Sequence, residues 1–274
     1  MKPFFSIVIP TLNEERYLPK LLTDLTKQKE RSFEVIVADS YSKDKTKEIA
    51  LIFKKNFPLI FTQVKKKNVA SQRNYGAGQT QGKYLIFLDA DTRINPTFFK
   101  KVKKTIEKKK GLIFLPYFFP DREYKQYKPL FDFTNLLVEL SQNFPKRFSL
   151  GGSMIVEKEF FKLIGGFNKK LYISEDHELI QRASQWGVKP KFIKEARTYF
   201  SLRRMKKEGQ LRFFYKSFVA LAYRLLSGEA TKKLFEYKMG GQLYSESEPL
   251  KKKQDWLDNY LKQIKNLFKK ILED

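Results

Sequence analysis

The first half of the chain alternates short, near-continuous apolar runs with stretches of helical periodicity. No other feature limits the fold as much. The runs are residues 4–9 (FFSIVI), 33–38 (FEVIVA), 59–63 (LIFTQ), 84–88 (YLIFL) and 111–115 (GLIFL). A strand covered on both faces needs apolar side chains at successive positions, not at alternate ones. Between the runs, Leu18, Leu21, Leu22 and Leu25 recur at the spacing of one helix face. Ser42 reads as the N-cap of a helix to about Lys55, with Ile49, Ala50 and Phe53 inward. Further helices are expected over 69–80 and, after Pro96, over 98–110. Pro10 reads as the end of the first strand. Strands separated by helices at this spacing predict an α/β fold: a Rossmann-like, mostly parallel sheet flanked by helices.

The pattern loosens after residue 115. Pro116 to Pro145 reads as a loop plus a helix around Phe131–Leu140, and 148–165 returns to sheet and helix. Residues 175–187 carry Leu179, Ile180, Ala183 and Trp186 at helical spacing, so Trp186 is expected in the core. A helical, basic, aromatic extension is expected over 206–274.

Composition narrows the function. The 274 residues hold 55 Lys+Arg against 30 Asp+Glu, a formal net charge of +25. With 42% hydrophobic residues, including 26 Phe, the chain can bury a large core, which excludes a disordered polycation. There is no Cys and one His, which excludes a disulfide scaffold, a thiolate site and a multi-His zinc site. A metal here is expected to be hard and held by carboxylates. No window approaches the roughly 20 apolar residues of a membrane span. MKPFFSIVIP reads as a first strand, not a signal peptide, so the expected compartment is the cytoplasm.

In α/β sheets, ligands gather at the carboxyl ends of the strands. Acids stand at those ends here. Asp39 follows FEVIVA, Asp89 and Asp91 follow YLIFL, and Thr11, Asn13 and Glu14 follow the first run. Carboxylates two residues apart on a loop leaving a rigid strand suit a divalent cation together with a ribose. Gly151-Gly152 and Gly165-Gly166 permit turns or close backbone approach.

Five blocks in order resemble the family 2 glycosyltransferases: SIVIPTLNEE (6–15), ADSYSKDKT (38–46), NVASQRNYGAGQTQGKYLIFLDADT (68–92), FFKLIGGFNKK (160–170) and SEDHELIQRASQWG (174–187). The match spans roughly 4–205. The resemblance implies a GT-A fold with a catalytic domain over 1–205, divided into a nucleotide half (1–115) and an acceptor half (116–205). It also implies transfer of a sugar, with inversion, from a nucleotide-diphosphate sugar to a hydroxyl acceptor, lipid-linked or polysaccharide. Pro10, Thr11, Asn13 and Glu14 would then line the nucleotide pocket and Asp39 would bind the base. Arg73 would contact the base or ribose side. Asp89 would face the ribose and sugar, and Asp91, with Asp89, would hold Mg2+ or Mn2+. Asp176 is the expected base, with Glu175 beside it. His177 adjoins them as a hydrogen-bonded residue. Where many members carry a further His, this chain has Tyr199-Phe200-Ser201-Leu202-Arg203-Arg204, similar to a Ser-x-Arg-Arg block in some members. Arg203 or Arg204 would reach the diphosphate.

Two other classes compete. A sugar nucleotidyltransferase needs a Gly-rich basic loop after the first strand, whereas this chain has PTLNEE there. A nucleic-acid-binding protein would account for the charge, but no such motif is present, and no nucleic-acid partner is expected. The segment LRFFYKSFVALAYRLLSG (211–228) and Lys251–Lys253 suggest either peripheral contact with the inner face of the cytoplasmic membrane or packing on the catalytic domain.

Overall fold

The computed structural model describes residues 2–66, 68–144, 147, 149, 152–171, 174–208 and 241. The expected α/β fold is present. The strands are β1 (Phe5–Thr11), β2 (Phe33–Asp39), β3 (Leu59–Gln63), β4 (Tyr84–Phe87), β5 (Arg93–Ile94), β6 (Ile113–Pro120), β7 (Met154–Glu157) and β8 (Lys191–Phe200). The helices are α1 (Leu18–Thr26), α2 (Thr46–Ile52), α3 (Val69–Gly78), α4 (Phe98–Lys109), α5 (Lys128–Ser141), α6 (Lys158–Leu163), α7 (Glu175–Gln185) and α8 (Arg203–Glu208). Among the described residues the strands form one sheet in the order β3-β2-β1-β4-β7-β6-β8-β5. The β1–β2, β1–β4, β2–β3 and β6–β8 pairings are parallel. β7 runs antiparallel to β4 and β6, and β5 runs antiparallel to β8.

The apolar runs are continuous because both faces are buried. Phe5, Ile7 and Ile9 of β1 face α1 and α4, while Val8 faces the cluster that includes α3, α6 and α7. The helices on the second face come close to the sheet. A Cβ at Gly76 of α3 would stand 2.6 Å from Val8 Cγ1.

Several boundaries depart from the sequence reading. β1 does not stop at Pro10 but runs through it to Thr11. The Leu88 N–H donates to the Val8 carbonyl, so even-numbered residues of β1 turn their backbone toward β4. The last β1–β4 pair is Val8 with Phe87, so the missing N–H of Pro10 falls beyond the end of β4 and breaks no ladder bond. β6 likewise continues through Pro116, where its pairing with β8 shifts register in a bulge. β8 was not foreseen, because its KFIKEARTYF reads as mixed charge, yet Phe192, Ile193, Ala196 and Thr198 are buried. Trp186 is not in the core. It is 56% exposed, at the C-terminal end of α7. Helix α8 covers only the first three residues of the span 206–274 in which the basic extension was expected. Residues 209–240 and 242–274, including 211–228 and Lys251–Lys253, lie outside the described residues. No described helix is long and apolar enough to cross a membrane.

Candidate active site

β1, β2 and β4 are adjacent and parallel, so their C-terminal ends open on one edge of the sheet. Thr11 and Asp39 are register partners there, and the Thr11 hydroxyl donates to Asp39 Oδ1 at 2.8 Å. Asp39 is buried, and its Oδ2 accepts the Ser42 N–H at 2.8 Å. Ser42 therefore does not cap a helix, contrary to the sequence reading. Its hydroxyl donates to Asp39 and accepts the Asn13 N–H at 2.7 Å. Helix α2 starts later, where the Thr46 N–H donates to Asp44 Oδ1 at 3.0 Å. Asn13 has φ 52°, a left-handed conformation that Asn tolerates better than most residues. Its Oδ1 accepts the Lys43 N–H at 2.7 Å. The turns after β1 and β2 thus form one bonded floor beside the buried Pro10. The Gly241 N–H donates to the Leu12 carbonyl of this floor at 3.0 Å.

α3 lies beneath the floor, capped by Asn68, whose Oδ1 accepts the Ser71 N–H at 2.9 Å. Gln72 donates to the carbonyls of Thr11 and Ala38. Arg73 is buried and spans two acids: Nη2 meets Asp89 Oδ1 at 2.7 Å and Nη1 meets Glu175 Oε1 at 2.7 Å. It also donates to the Gly152 carbonyl at 3.3 Å and stands 5.4 Å from the Phe167 ring centroid. Burial favours its neutral form, but the charges of Asp89, Glu175 and Asp176 outweigh that and raise its pKa. Arg73 joins the tip of β4 to the start of α7. Gly152 is a close-approach glycine: a Cβ there would stand 2.1 Å from Asp89 Oδ2.

A second arginine closes the other side. Arg203 Nη1 and Nη2 donate to Glu14 Oε2 and Oε1 at 2.8 and 2.9 Å, and Nε lies 3.0 Å from Asp91 Oδ2. Its guanidinium carbon sits 4.4 Å from the Tyr17 ring centroid. Burial pushes the Glu14 carboxyl up to about 7, against the lowering effect of Arg203. Burial pulls the Arg203 pKa down, yet the bonds to Glu14 and the Asp91 charge leave it raised. Arg204 follows on α8, its side chain outside the described set.

Glu175, Asp176 and His177 form the first turn of α7. Ser174 before them has φ 75°, uncommon for a residue with a Cβ and a mark of local strain. Its hydroxyl makes no capping bond, while its carbonyl accepts the Glu178 N–H at 3.1 Å. The Ser149 hydroxyl lies 3.4 Å from Asp176 Oδ2. Two residues outside the expected set hold this side in place. Arg182 ties Glu178 to the Gly166 carbonyl, and Asn74 bonds both the N–H and the carbonyl of Phe167, each at 2.8 Å. Asn74 follows Arg73 in the Arg-Asn-x-Gly block, so its neighbour was the available clue. Arg182 had none.

Among the described residues no three acidic or histidine side chains converge as a self-sufficient metal cage. Two aspartates on one turn still suit a cation that completes its shell with phosphate oxygens, the usual arrangement for Mg2+.

A mostly parallel α/β sheet with acids at three neighbouring strand tips, faced by a second acid pair at a helix start, places a ligand site at that edge of the sheet. The chain belongs to glycosyl transferase family 2, whose model matches residues 6–165. It is 29% identical over 202 residues to an uncharacterized glycosyltransferase of Haemophilus influenzae, covering 71% of this chain and 67% of that one. It is 32% identical over 107 residues to the poly(ribitol-phosphate) beta-N-acetylglucosaminyltransferase TarS of Staphylococcus aureus, covering 38% of this chain and 19% of TarS. The solved structure of TarS 1–349 with UDP-GlcNAc superposes with a TM-score of 0.58 at 21% identity, covering 73% of this chain and 58% of that one. A mannosyltransferase from Pyrobaculum calidifontis, in complex with GDP-Man and Mn2+, superposes with a TM-score of 0.60 at 17% identity, covering 73% of this chain and 57% of that one. These likenesses establish the GT-A fold of a glycosyltransferase.

Proposed function

We propose that the chain moves a sugar, with inversion, from a nucleotide-diphosphate sugar to a hydroxyl on a lipid-linked or polysaccharide acceptor. The observation that carries the reading is the Arg73 bridge, which joins Asp89 to Glu175 and so brings the β4 acids and the α7 acids together. In this reading residues 1–115 bind the nucleotide, 116–205 bind the acceptor, and 206–274 extend the domain. Pro10, Thr11 and Asn13 line the nucleotide pocket, and Asp39 accepts from the base. Asp89 faces the ribose and sugar, and Asp91, with Asp89, would hold Mg2+ or Mn2+. When bound there, the cation neutralises charge on the departing diphosphate. Arg203 leaves Glu14 and Asp91 to bind phosphate oxygens, a bidentate pairing that suits guanidinium. Asp176 takes the proton of the attacking hydroxyl, a contribution of about 10²–10⁴-fold. The charge and apolar pattern of 206–274 support a peripheral contact with an anionic membrane.

The test uses Asp176→Asn and Asp91→Ala. A thermal-shift screen of nucleoside diphosphates and their sugars, with and without Mn2+, first identifies the donor. Asp176→Asn should keep donor binding and lose transfer by about 10²–10⁴-fold. Asp91→Ala should lose both transfer and the Mn2+-dependent shift. Wild-type transfer by both variants would overturn these roles.

A further inference from the structure

Two arginines neutralise the strand-tip acids in pairs. Arg73 serves Asp89 and Glu175, and Arg203 serves Glu14 and Asp91. The second pairing takes both Glu14 oxygens, at 2.8 and 2.9 Å, and sets Nε 3.0 Å from Asp91 Oδ2. The side chains of Arg203, Glu14 and Asp91 are 11%, 8% and 15% exposed, so water does little to screen them. Glu14 is the fixed partner. Its N–H donates to the Thr46 hydroxyl at 2.8 Å, and its carbonyl accepts the Leu18 N–H at 2.9 Å. A Cβ at Gly241 would stand 2.6 Å from Glu14 Oε2, so the backbone at Gly241 closes that side of the carboxylate. Arg203 is the part that can move. It reaches the acids from the first residue of α8, on a long stem with several rotatable bonds.

We infer that Arg203 is a latch on the cation seat: it holds Glu14 and Asp91 while no diphosphate is bound, and so keeps a free divalent cation out. The inference rests on the reading of Asp91 as the cation's ligand and adds the order in which the site fills. A guanidinium and a divalent cation compete for the same carboxylate oxygens, and at contact range their like charges repel. The Tyr17 ring, 4.4 Å from the guanidinium carbon, steadies the closed position. A cation arriving alone has to displace Arg203 with no other anion there to receive it. Its apparent affinity falls with the fraction of molecules in which the seat is open. A diphosphate shifts that balance, because its oxygens offer the guanidinium a bidentate, charge-assisted partner of its own. Arg203 then swings to the phosphate and leaves Glu14 and Asp91 open beside it. The cation therefore enters with the nucleotide and not before it.

The test uses Mn2+ alone as the probe, with no nucleotide present. Binding to the full chain is read from the loss of the free-ion signal in electron paramagnetic resonance. The parent should bind Mn2+ weakly. Arg203→Met should bind it at least about tenfold more tightly, and adding Asp91→Ala should abolish the gain. Arg203→Lys keeps the positive charge but cannot fork across two acids, so it too should bind Mn2+ more tightly than the parent. Should Arg203→Met fail to fold, the lysine variant and the parent still decide. Equal Mn2+ affinity in parent and variants, whether tight or weak, overturns the latch. A lysine variant that matches the parent also overturns it, since the charge alone would then account for any gain with methionine. The role of Asp91 is judged separately, by whether Asp91→Ala, with Arg203 in place, loses the Mn2+-dependent shift seen with the donor.

Discussion

Replacing Arg73 by methionine removes the guanidinium and keeps most of the stem. Glu175, 16% exposed, then loses its ionic partner, and Asp89, 36% exposed, loses one of its restraints. Removing one member of a buried ion pair costs about 3–5 kcal/mol, because the other charge stays behind without compensation. Asp89 reaches solvent, which discounts its share, so the low end, about 3 kcal/mol, applies. For a domain of this size that lowers Tm by roughly 6–12 °C. Transfer should fall by about 10²-fold, since both acids lose their fixed positions. The assay is a double-mutant cycle with Glu175→Gln, read by thermal melting and by donor turnover. A coupling energy of about 1–3 kcal/mol is expected between the two positions. Arg73→Lys should recover part of the stability but little turnover, because an ammonium cannot reach both carboxylates as a planar fork does. A Tm for Arg73→Met within about 2 °C of the parent, with no coupling in the cycle, would refute the bridge.

Two other substitutions probe separate parts of the structure. Gly152→Ala puts a Cβ 2.1 Å from Asp89 Oδ2 and 2.8 Å from Arg73 Nη2. Overpacking of about 1–3 kcal/mol should displace Asp89, and calorimetry should show weaker donor binding in a protein that still folds. Trp186→Ala should change stability by no more than about 0.5 kcal/mol, because its ring is solvated. A large drop in melting temperature would return that ring to the core.

Much of the donor half was legible in the sequence. FEVIVA and YLIFL are strands because both sheet faces are covered, and burial on both faces writes itself as a local apolar run. The acids that follow the runs occupy the tips because a strand end fixes where the next residue emerges. The acceptor half was less legible. β8 mixes Lys, Glu and Arg with its buried positions, so its run is broken in sequence though its inner face is not. Pro116 reads as a stop, yet a bulge accommodates it. Ser42 has the composition of a helix cap but finds Asp39 and Asn13 instead, and Asn13 is 29 residues away.

The amino-acid sequence by itself determined the alternation of strands and helices, the order of the acidic tips and the family. Tertiary structure alone decided how those acids are held. Arg203 meets Glu14 across 189 residues, and Arg73 meets Glu175 across 102. Periodicity records burial, which is a property of neighbours along the chain. A charge pairing depends on where a distant segment returns, and no local pattern of residues encodes that.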